Sequence, residues 1–213
     1  MPSKPRTIIP GIPHHIVQRG NRREVIFNDD DARKHFLSDL KSYASREKVK
    51  ILAYCLMDNH THLIAVPSTT FSFKKLFCPL HSSLSRRLSK LHGETGRNLQ
   101  GRYYSSPMDD SYTINALRYV NMNPVRAGIV KRAEDYHWSS AAGHLNRRKD
   151  PIIDDVTEWQ PHVIEAAAQL NSEIPDEEAD LSLIRDRTLR NEPIGSQLFV
   201  RTIESLTGRK FRS

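Results

Sequence analysis

The run Asn59-His60-Thr61-His62-Leu63-Ile64 puts two imidazoles two residues apart in a segment with strand character. Strand side chains alternate faces, so His60 and His62 point the same way, with backbones about 7 Å apart. Two imidazoles at that separation can close on one divalent cation, with a third ligand supplied from elsewhere. Taken alone, such a pair is more often two partly exposed strand histidines than a metal site. A second set lies between Ser111 and Asn123, which reads as a helix. Tyr119 and Asn123 are four residues apart there, and that spacing puts a phenol and a carboxamide on one helical face. The carboxamide oxygen could be the missing ligand and the phenol a nucleophile. Tyr112, two turns earlier on the same face, is the rival phenol, and the plainer reading of either is a core tyrosine. Pro124 biases Asn123 away from helical geometry.

The elements that must position these groups follow from pattern. His14–Arg19 has β character, broken by Gly20-Asn21. Asn28 to Asp31 offer caps for a helix whose apolar positions are Phe36, Leu37, Leu40 and Tyr43-Ala44. Lys50–Leu56 and His60–Val66 read as strands of a hairpin turning at Asp58-Asn59. Phe73–Leu91 reads as a long helix with Leu76, Leu80, Leu84, Leu88 and Leu91 on one stripe, kinked or begun by Pro79. Tyr103-Tyr104 ends a short fourth strand, and Asp109 to Ser111 cap the helix that Pro124 stops. Val125–Ala133 reads as a further turn or two of helix, and Asn146–Pro151 as a charged linker. Beyond it, Val163–Leu170 and Leu198–Leu206 read as helices flanking a flexible acidic stretch, Asn171–Asp180. Interleaved strands and helices around a hairpin imply an α+β fold, an antiparallel sheet with helices on its faces.

Charge is split along the chain. Residues 1–150 carry 25 Lys+Arg against 13 Asp+Glu, a net +12, whereas 151–213 carry 7 against 12, a net −5. A basic body points to a polyanionic partner. The pairs Arg22/Arg23, Arg86/Arg87 and Arg147/Arg148 supply forked donors suited to phosphate. No apolar run is long enough to span a membrane, and no signal-peptide core is present. Cys55 and Cys78 form no CxxC pair and read as buried thiols of a reducing, cytoplasmic setting. The length suits one domain with an appendage or two small ones.

At this point the residues resemble a known family. Ala53-Tyr54-Cys55-Leu56-Met57-Asp58-Asn59-His60-Thr61-His62-Leu63 resembles the His-hydrophobe-His segment of single-tyrosine HUH transposases. Leu117-Arg118-Tyr119-Val120-Asn121-Met122-Asn123-Pro124-Val125-Arg126-Ala127-Gly128 resembles their catalytic-tyrosine helix. Ile9-Pro10-Gly11-Ile12-Pro13-His14-His15-Ile16-Val17-Gln18-Arg19-Gly20 is similar to the first strand of the REP-associated branch. Trp138-Ser139-Ser140 and the stretch from Pro193-Ile194-Gly195 to Gly208-Arg209 are similar to that branch too. The likeness is thinnest over 150–190. Thr61 departs from the pattern, since it stands where a large apolar residue is usual; packing is expected to change and ligation to survive.

The resemblance implies a ferredoxin-like sheet over a catalytic domain of residues 1–148, followed by a mainly helical segment, 149–213, of structural or regulatory use. It implies His60 and His62 as metal ligands, Asn123 as the third ligand and Tyr119 as the nucleophile; two histidines and an amide oxygen suit Mn²⁺, or Mg²⁺ with waters, and Zn²⁺ binds such a set too. His14 and His15 are given no ligand role. The implied partner is single-stranded or hairpin DNA from palindromic repeats, handled by a monomer or homodimer with no membrane association. A free tyrosine has a pKa near about 10 and attacks poorly without help, which a divalent cation on the scissile phosphate supplies. The implied product is a 5′-phosphotyrosine, which conserves the phosphodiester energy, so resealing needs no ATP. Arg19, Arg22, Arg23, Arg86, Arg87, Arg102 and Arg118 are candidates for phosphate contact, and Tyr103 and Tyr104 for stacking on unpaired bases. Three other classes use some of the same residues: a metal-dependent nuclease with a water nucleophile, a replication initiator or relaxase, and a DNA-binding protein that no longer cleaves.

Overall fold

The computed structural model describes residues 6–93, 96–153, 159–170 and 178–211. Four strands, β1 (His14–Arg19), β2 (Lys50–Met57), β3 (His60–Val66) and β4 (Tyr104–Pro107), form one sheet in the order β2-β3-β1-β4. Every neighbouring pair is antiparallel. Helix α1 (Asp30–Arg46) carries the chain from β1 to β2, and β3 inserts between them as the second arm of a hairpin. This is the ferredoxin-like arrangement of an α+β fold.

Strand alternation sorts side chains between two cores. Ile16, Leu56, Leu63 and Ala65 face α1 and α2 (Ser72–His92), where Phe36, Leu40, Phe73, Leu76, Phe77 and Leu80 meet them. Cys55, Met57, Ile64 and Val66 face the opposite way, toward α3 (Asp110–Arg126), α5 (Gln160–Leu170) and α6 (Glu178–Arg190). There Ala116, Leu117, Val120, Trp159, Ala166 and Ile184 close the second core. A register shift between Ile51 and Ala53 sends Leu52 and Ala53 to the same side, as a bulge does. By the same alternation His60 and His62 lie on the second face, beside Arg19 and Val17 of β1, and buried Thr61 turns to the first. On that second face α3 packs against β2 and β3, and α6 against β4 and β1.

Caps start the helices where the sequence places them. The Asp29 carboxylate accepts from Ala32 N at 2.7 Å, and Asp109 from Tyr112 N at 3.1 Å. Each satisfies a donor that the helix itself leaves open. Short α4 (Ala141–His144) and terminal α7 (Gln197–Thr207) complete the α-helices of the described residues.

Several expectations shift. Pro124 does not stop α3, which runs on to Arg126. A proline removes one backbone donor, here the one that would reach the Val120 carbonyl; Asn123 Nδ2 lies 3.5 Å from that oxygen and donates to the Tyr119 carbonyl at 2.9 Å. The helix then resumes with Ala127 N on the Asn123 carbonyl at 3.0 Å. Pro79 likewise sits inside α2, whose buried stripe ends at Leu88, leaving Leu91 exposed. β4 begins rather than ends at Tyr104. Past Arg126 only a 3-10 turn, Ala133–Asp135, interrupts the loop. The stretch read as a linker is anchored, because the Tyr54 hydroxyl donates to Asp150 at 2.8 Å and Arg148 to the Ser139 carbonyl at 3.2 Å. Cys55 is buried but Cys78 is exposed. Helix α6 was not foreseen; most of the acidic stretch before it, residues 171–177, lies outside the described residues. No described helix is long and apolar enough to cross a membrane.

Candidate active site

Strand β3 supplies the histidine pair and α3 the tyrosine, and the sheet–helix packing brings them together. The His60 and His62 rings stand edge to face with centroids 4.8 Å apart. The Tyr119 ring meets His62 edge-on at 5.4 Å and His15 at 5.7 Å. Tyr119 is 4% exposed, and it faces a cavity of about 90 Å³ lined also by His15, Arg19, His62, Arg185 and Thr188. Tyr112 makes no ring contact with either histidine and packs at the margin of the second core. The geometry thus separates the two rival phenols.

Hydrogen bonds fix which nitrogen of each ring is available. Asn59 Nδ2 donates to the Arg23 carbonyl at 3.2 Å, so Asn59 Oδ1 is the acceptor 2.6 Å from His60 Nδ1. His60 therefore carries its proton on Nδ1 and a lone pair on Nε2. His62 Nδ1 is engaged at 2.9 Å by His15 Nε2, which leaves His62 Nε2 as its open nitrogen. Burial holds both rings neutral. It pushes His60 down to about 4, with Arg19 adding to the effect. It pushes His62 well below the ordinary range, reinforced by His60, His15, Arg19 and Arg126. A neutral imidazole with a bare Nε2 is a metal ligand in waiting.

The third predicted ligand is less closely placed. Asn123 sits half-buried one turn beyond Tyr119, its amide nitrogen on the Tyr119 carbonyl. Among the described residues no hydrogen bond joins it to either histidine, and no three His, Cys, Asp or Glu side chains are arranged to hold one ion. The Asn123 amide carries an uncharged oxygen one helical turn from Tyr119.

Cations surround the phenol. Arg185 Nε donates to the Tyr119 hydroxyl at 3.3 Å, and the Arg126 guanidinium lies 4.5 Å from the ring centroid. Arg19, paired in register with His60, has a buried Nε with no hydrogen-bond partner. With Arg23, Asn59 and His60 it also lines an outer cavity of about 330 Å³. A phosphate reaching the tyrosine would find donors on both sides of it.

The other predicted contacts are scattered. Arg22 and Arg23 are exposed on the turn after β1, both with positive φ, at 51° and 66°. Arg86 and Arg87 are exposed on α2, behind the sheet from Tyr119. Arg102 is exposed beside a cavity on that same far side, and Arg118 is buried in α3. Tyr103 packs against Phe77 at 4.7 Å with Arg6 on its ring at 3.7 Å. Tyr104 is half-buried and shares the Tyr119 face through its pairing with Val17.

Sequence reading gave no role to His15, Arg126, Arg185 or Thr188. His15 stood in a quoted motif, and its place one pleat from His62 follows once β1 is paired with β3. Nothing in the local pattern points to Arg185 and Thr188, because their helix follows an acidic stretch.

One solved structure shares this architecture. A REP-associated tyrosine transposase solved bound to a REP hairpin superposes with a TM-score of 0.53 at 19% identity, over 71% of this chain and 90% of that one. A transposase-like protein of Deinococcus radiodurans R1 gives 0.39 at 17% identity, over 60% and 92%. No curated protein sequence matches the chain. The family described as "Transposase IS200 like" matches residues 9–123, which span β1 to the Tyr119 helix. With more than half its length in that match, the chain belongs to the IS200-like transposase family.

Proposed function

We propose that this transposase nicks and rejoins single-stranded DNA at hairpin-forming repeats, with Tyr119 as nucleophile. The observation that carries the reading is the contact of the Tyr119 ring with His62, at 5.4 Å, in a cavity flanked by cationic donors. The hairpin held by the structural neighbour supports the substrate class, and the net +12 of residues 1–150 supports a nucleic-acid partner.

In this reading His60 Nε2 and His62 Nε2 hold a divalent cation, Mg²⁺ or Mn²⁺, with the Asn123 oxygen as third protein ligand. When bound, such a cation neutralises charge on the scissile phosphate and orients it. The chain's own residues do the rest. Arg185, donating to the phenol oxygen, stabilises negative charge as the proton leaves to solvent. Arg126 over the ring acts in the same sense. Arg19, which lines the outer cavity beside His60, offers its guanidinium to a phosphate oxygen. The Tyr119 oxygen forms the bond to phosphorus, the bond to the 3′ oxygen breaks, and that oxygen takes up a proton as the 3′-hydroxyl. The 5′-phosphotyrosine then reverses onto an incoming 3′-hydroxyl. Residues 1–148 serve as the catalytic domain, and 149–213 complete it by supplying Arg185.

The test is incubation with a single-stranded repeat hairpin carrying a flanking single strand, with Mn²⁺ present. A covalent protein–DNA band on a denaturing gel, lost on chelation, is expected. Cleavage without any adduct would instead indicate water as nucleophile, and binding without cleavage a protein that only recognises DNA.

A further inference from the structure

Behind His62 a line of hydrogen bonds runs out of the sheet into α6. The Thr188 hydroxyl donates to the Ile184 carbonyl at 2.6 Å, one turn back in its own helix. A hydroxyl has one proton, so toward His15 Nδ1, 2.9 Å away, Thr188 Oγ1 can only accept. His15 Nδ1 therefore carries the hydrogen. In a neutral ring His15 Nε2 is then bare, and it accepts from His62 Nδ1 at 2.9 Å. The ring planes are only 2° apart and the centroids 5.2 Å apart, so with the nitrogens at 2.9 Å the rings meet edge to edge and the bond lies in the plane of both. Thr188 and His15 are each 1% exposed. The direction of every proton in the line follows from a backbone carbonyl whose acceptor role is fixed.

We infer that Thr188 and His15 are positioning residues that set the tautomer of His62, so that helix α6 decides whether its Nε2 carries a lone pair or a proton. The inference rests on the reading of His60 and His62 as a metal site. With Thr188 in place His62 carries its proton on Nδ1 and presents the Nε2 lone pair. Without the threonine acceptor, His15 is released to carry its proton on Nε2 instead. It then donates to His62 Nδ1, and the His62 proton moves to Nε2, where it blocks a ligand. Partners behind a metal-binding histidine typically change metal affinity by about 10- to 100-fold. The contribution comes from a segment 126 residues away from His62 in sequence, which ties the C-terminal helices to the site chemically as well as by packing.

Two measurements on the whole chain test this. Long-range ¹H–¹⁵N spectra of the metal-free wild type at neutral pH should show His62 protonated on Nδ1. In Thr188→Val the His62 signal should move toward the Nε2-protonated form, and Mn²⁺ affinity, read by electron paramagnetic resonance, should weaken about 10- to 100-fold. Thr188→Ser, which keeps the hydroxyl, should restore both. A wild-type His62 protonated on Nε2 overturns the inference without any variant. So does a folded Thr188→Val that binds Mn²⁺ like wild type. The hairpin adduct assay on wild type is run in parallel: absence of adduct alongside the expected tautomer shift removes the proposed reaction and leaves the relay standing.

Discussion

Arg185 Nε donates to the Tyr119 hydroxyl at 3.3 Å, joining a helix that follows an acidic stretch to the one phenol that touches both His15 and His62. A guanidinium keeps its charge at any working pH, and here it points a donor at the oxygen proposed to attack. Arg185→Met, which keeps the stem but removes the donor, is expected to slow single-turnover adduct formation by about 10- to 100-fold, at the low end of losses seen for charge-stabilising donors. Hairpin affinity should change little. A variant with an unaltered rate would remove Arg185 from the reaction.

Tyr119→Phe deletes one oxygen and keeps the ring that packs on His15 and His62. The fold should persist and no covalent DNA species should form. Tyr112→Phe should form adduct at close to the wild-type rate, because Tyr112 lies at the margin of the second core and away from both histidines. An adduct that survives the first change and vanishes with the second would mean that the wrong tyrosine has been chosen.

His60→Ala and His62→Ala are expected to abolish cleavage at limiting Mn²⁺ while hairpin binding persists, since neither change touches the arginines proposed to meet phosphate. Equal cleavage by wild type and both variants would rule out the ligand assignment. His62→Ala also leaves His15 Nε2 without its partner, so its melting temperature should fall further than that of His60→Ala.

Much of this site was legible before any coordinates. A two-residue spacing on a strand is enough to put His60 and His62 on one face, and a cap at Asp109 is enough to start the Tyr119 helix. Both depend only on local periodicity. The helix through Pro124 was not legible, because local pattern reads a proline as a stop, whereas here the Val120 carbonyl it leaves open lies within reach of the Asn123 amide. Nor was the part played by α6. Arg185 and Thr188 gain their meaning only from the sheet order that puts β1 beside β3 and leaves α6 against β1 and β4. Tyr103 shows the converse: an aromatic in a basic stretch invites a stacking role, yet its ring is held by Phe77 and Arg6.

Away from the site, burial pushes the His81 imidazole down to about 3, and its Nε2 has no hydrogen-bond partner. Below the ordinary histidine pKa the unfolded chain binds a proton there that the folded chain refuses. Stability from this group is therefore complete above about pH 6.5 and declines as pH falls toward the folded value. The loss is at most about 1.4 kcal/mol per pH unit, the linkage value for one proton. His81→Leu should match or exceed wild type at pH 7 and lose less stability between pH 6.5 and 4, as read by denaturant melts. The slope should flatten without vanishing, since His14, His15 and His60 are depressed as well. Parallel pH profiles for the two proteins would remove His81 as a contributor.

A chain ending near Lys149 separates two uses of the C-terminal segment. One is electrostatic: its net −5 could compete with phosphates for the arginines of a body carrying +12. The acidic residues best suited to this, around Asp176, lie outside the described residues. The other use is structural, and named contacts support it. Trp159, Val163, Ala166, Leu181, Ile184 and Ile194 are buried in the core that also holds Leu117 and Val120 of α3. Each large side chain so buried contributes about 1.5–3 kcal/mol, against a total stability of about 5–15 kcal/mol for a domain. Removing α5 and α6 bares that face and takes Arg185 and Thr188 with it. The truncated chain is therefore expected to melt at least about 10 °C lower, to aggregate readily, and to form no adduct. The masking idea predicts the reverse: a folded product that binds the hairpin more tightly at low salt, with the gain fading as salt rises. Binding and melting measured on the same truncated protein distinguish the two, and a soluble, adduct-forming truncation with tighter low-salt binding would falsify the structural assignment of this segment.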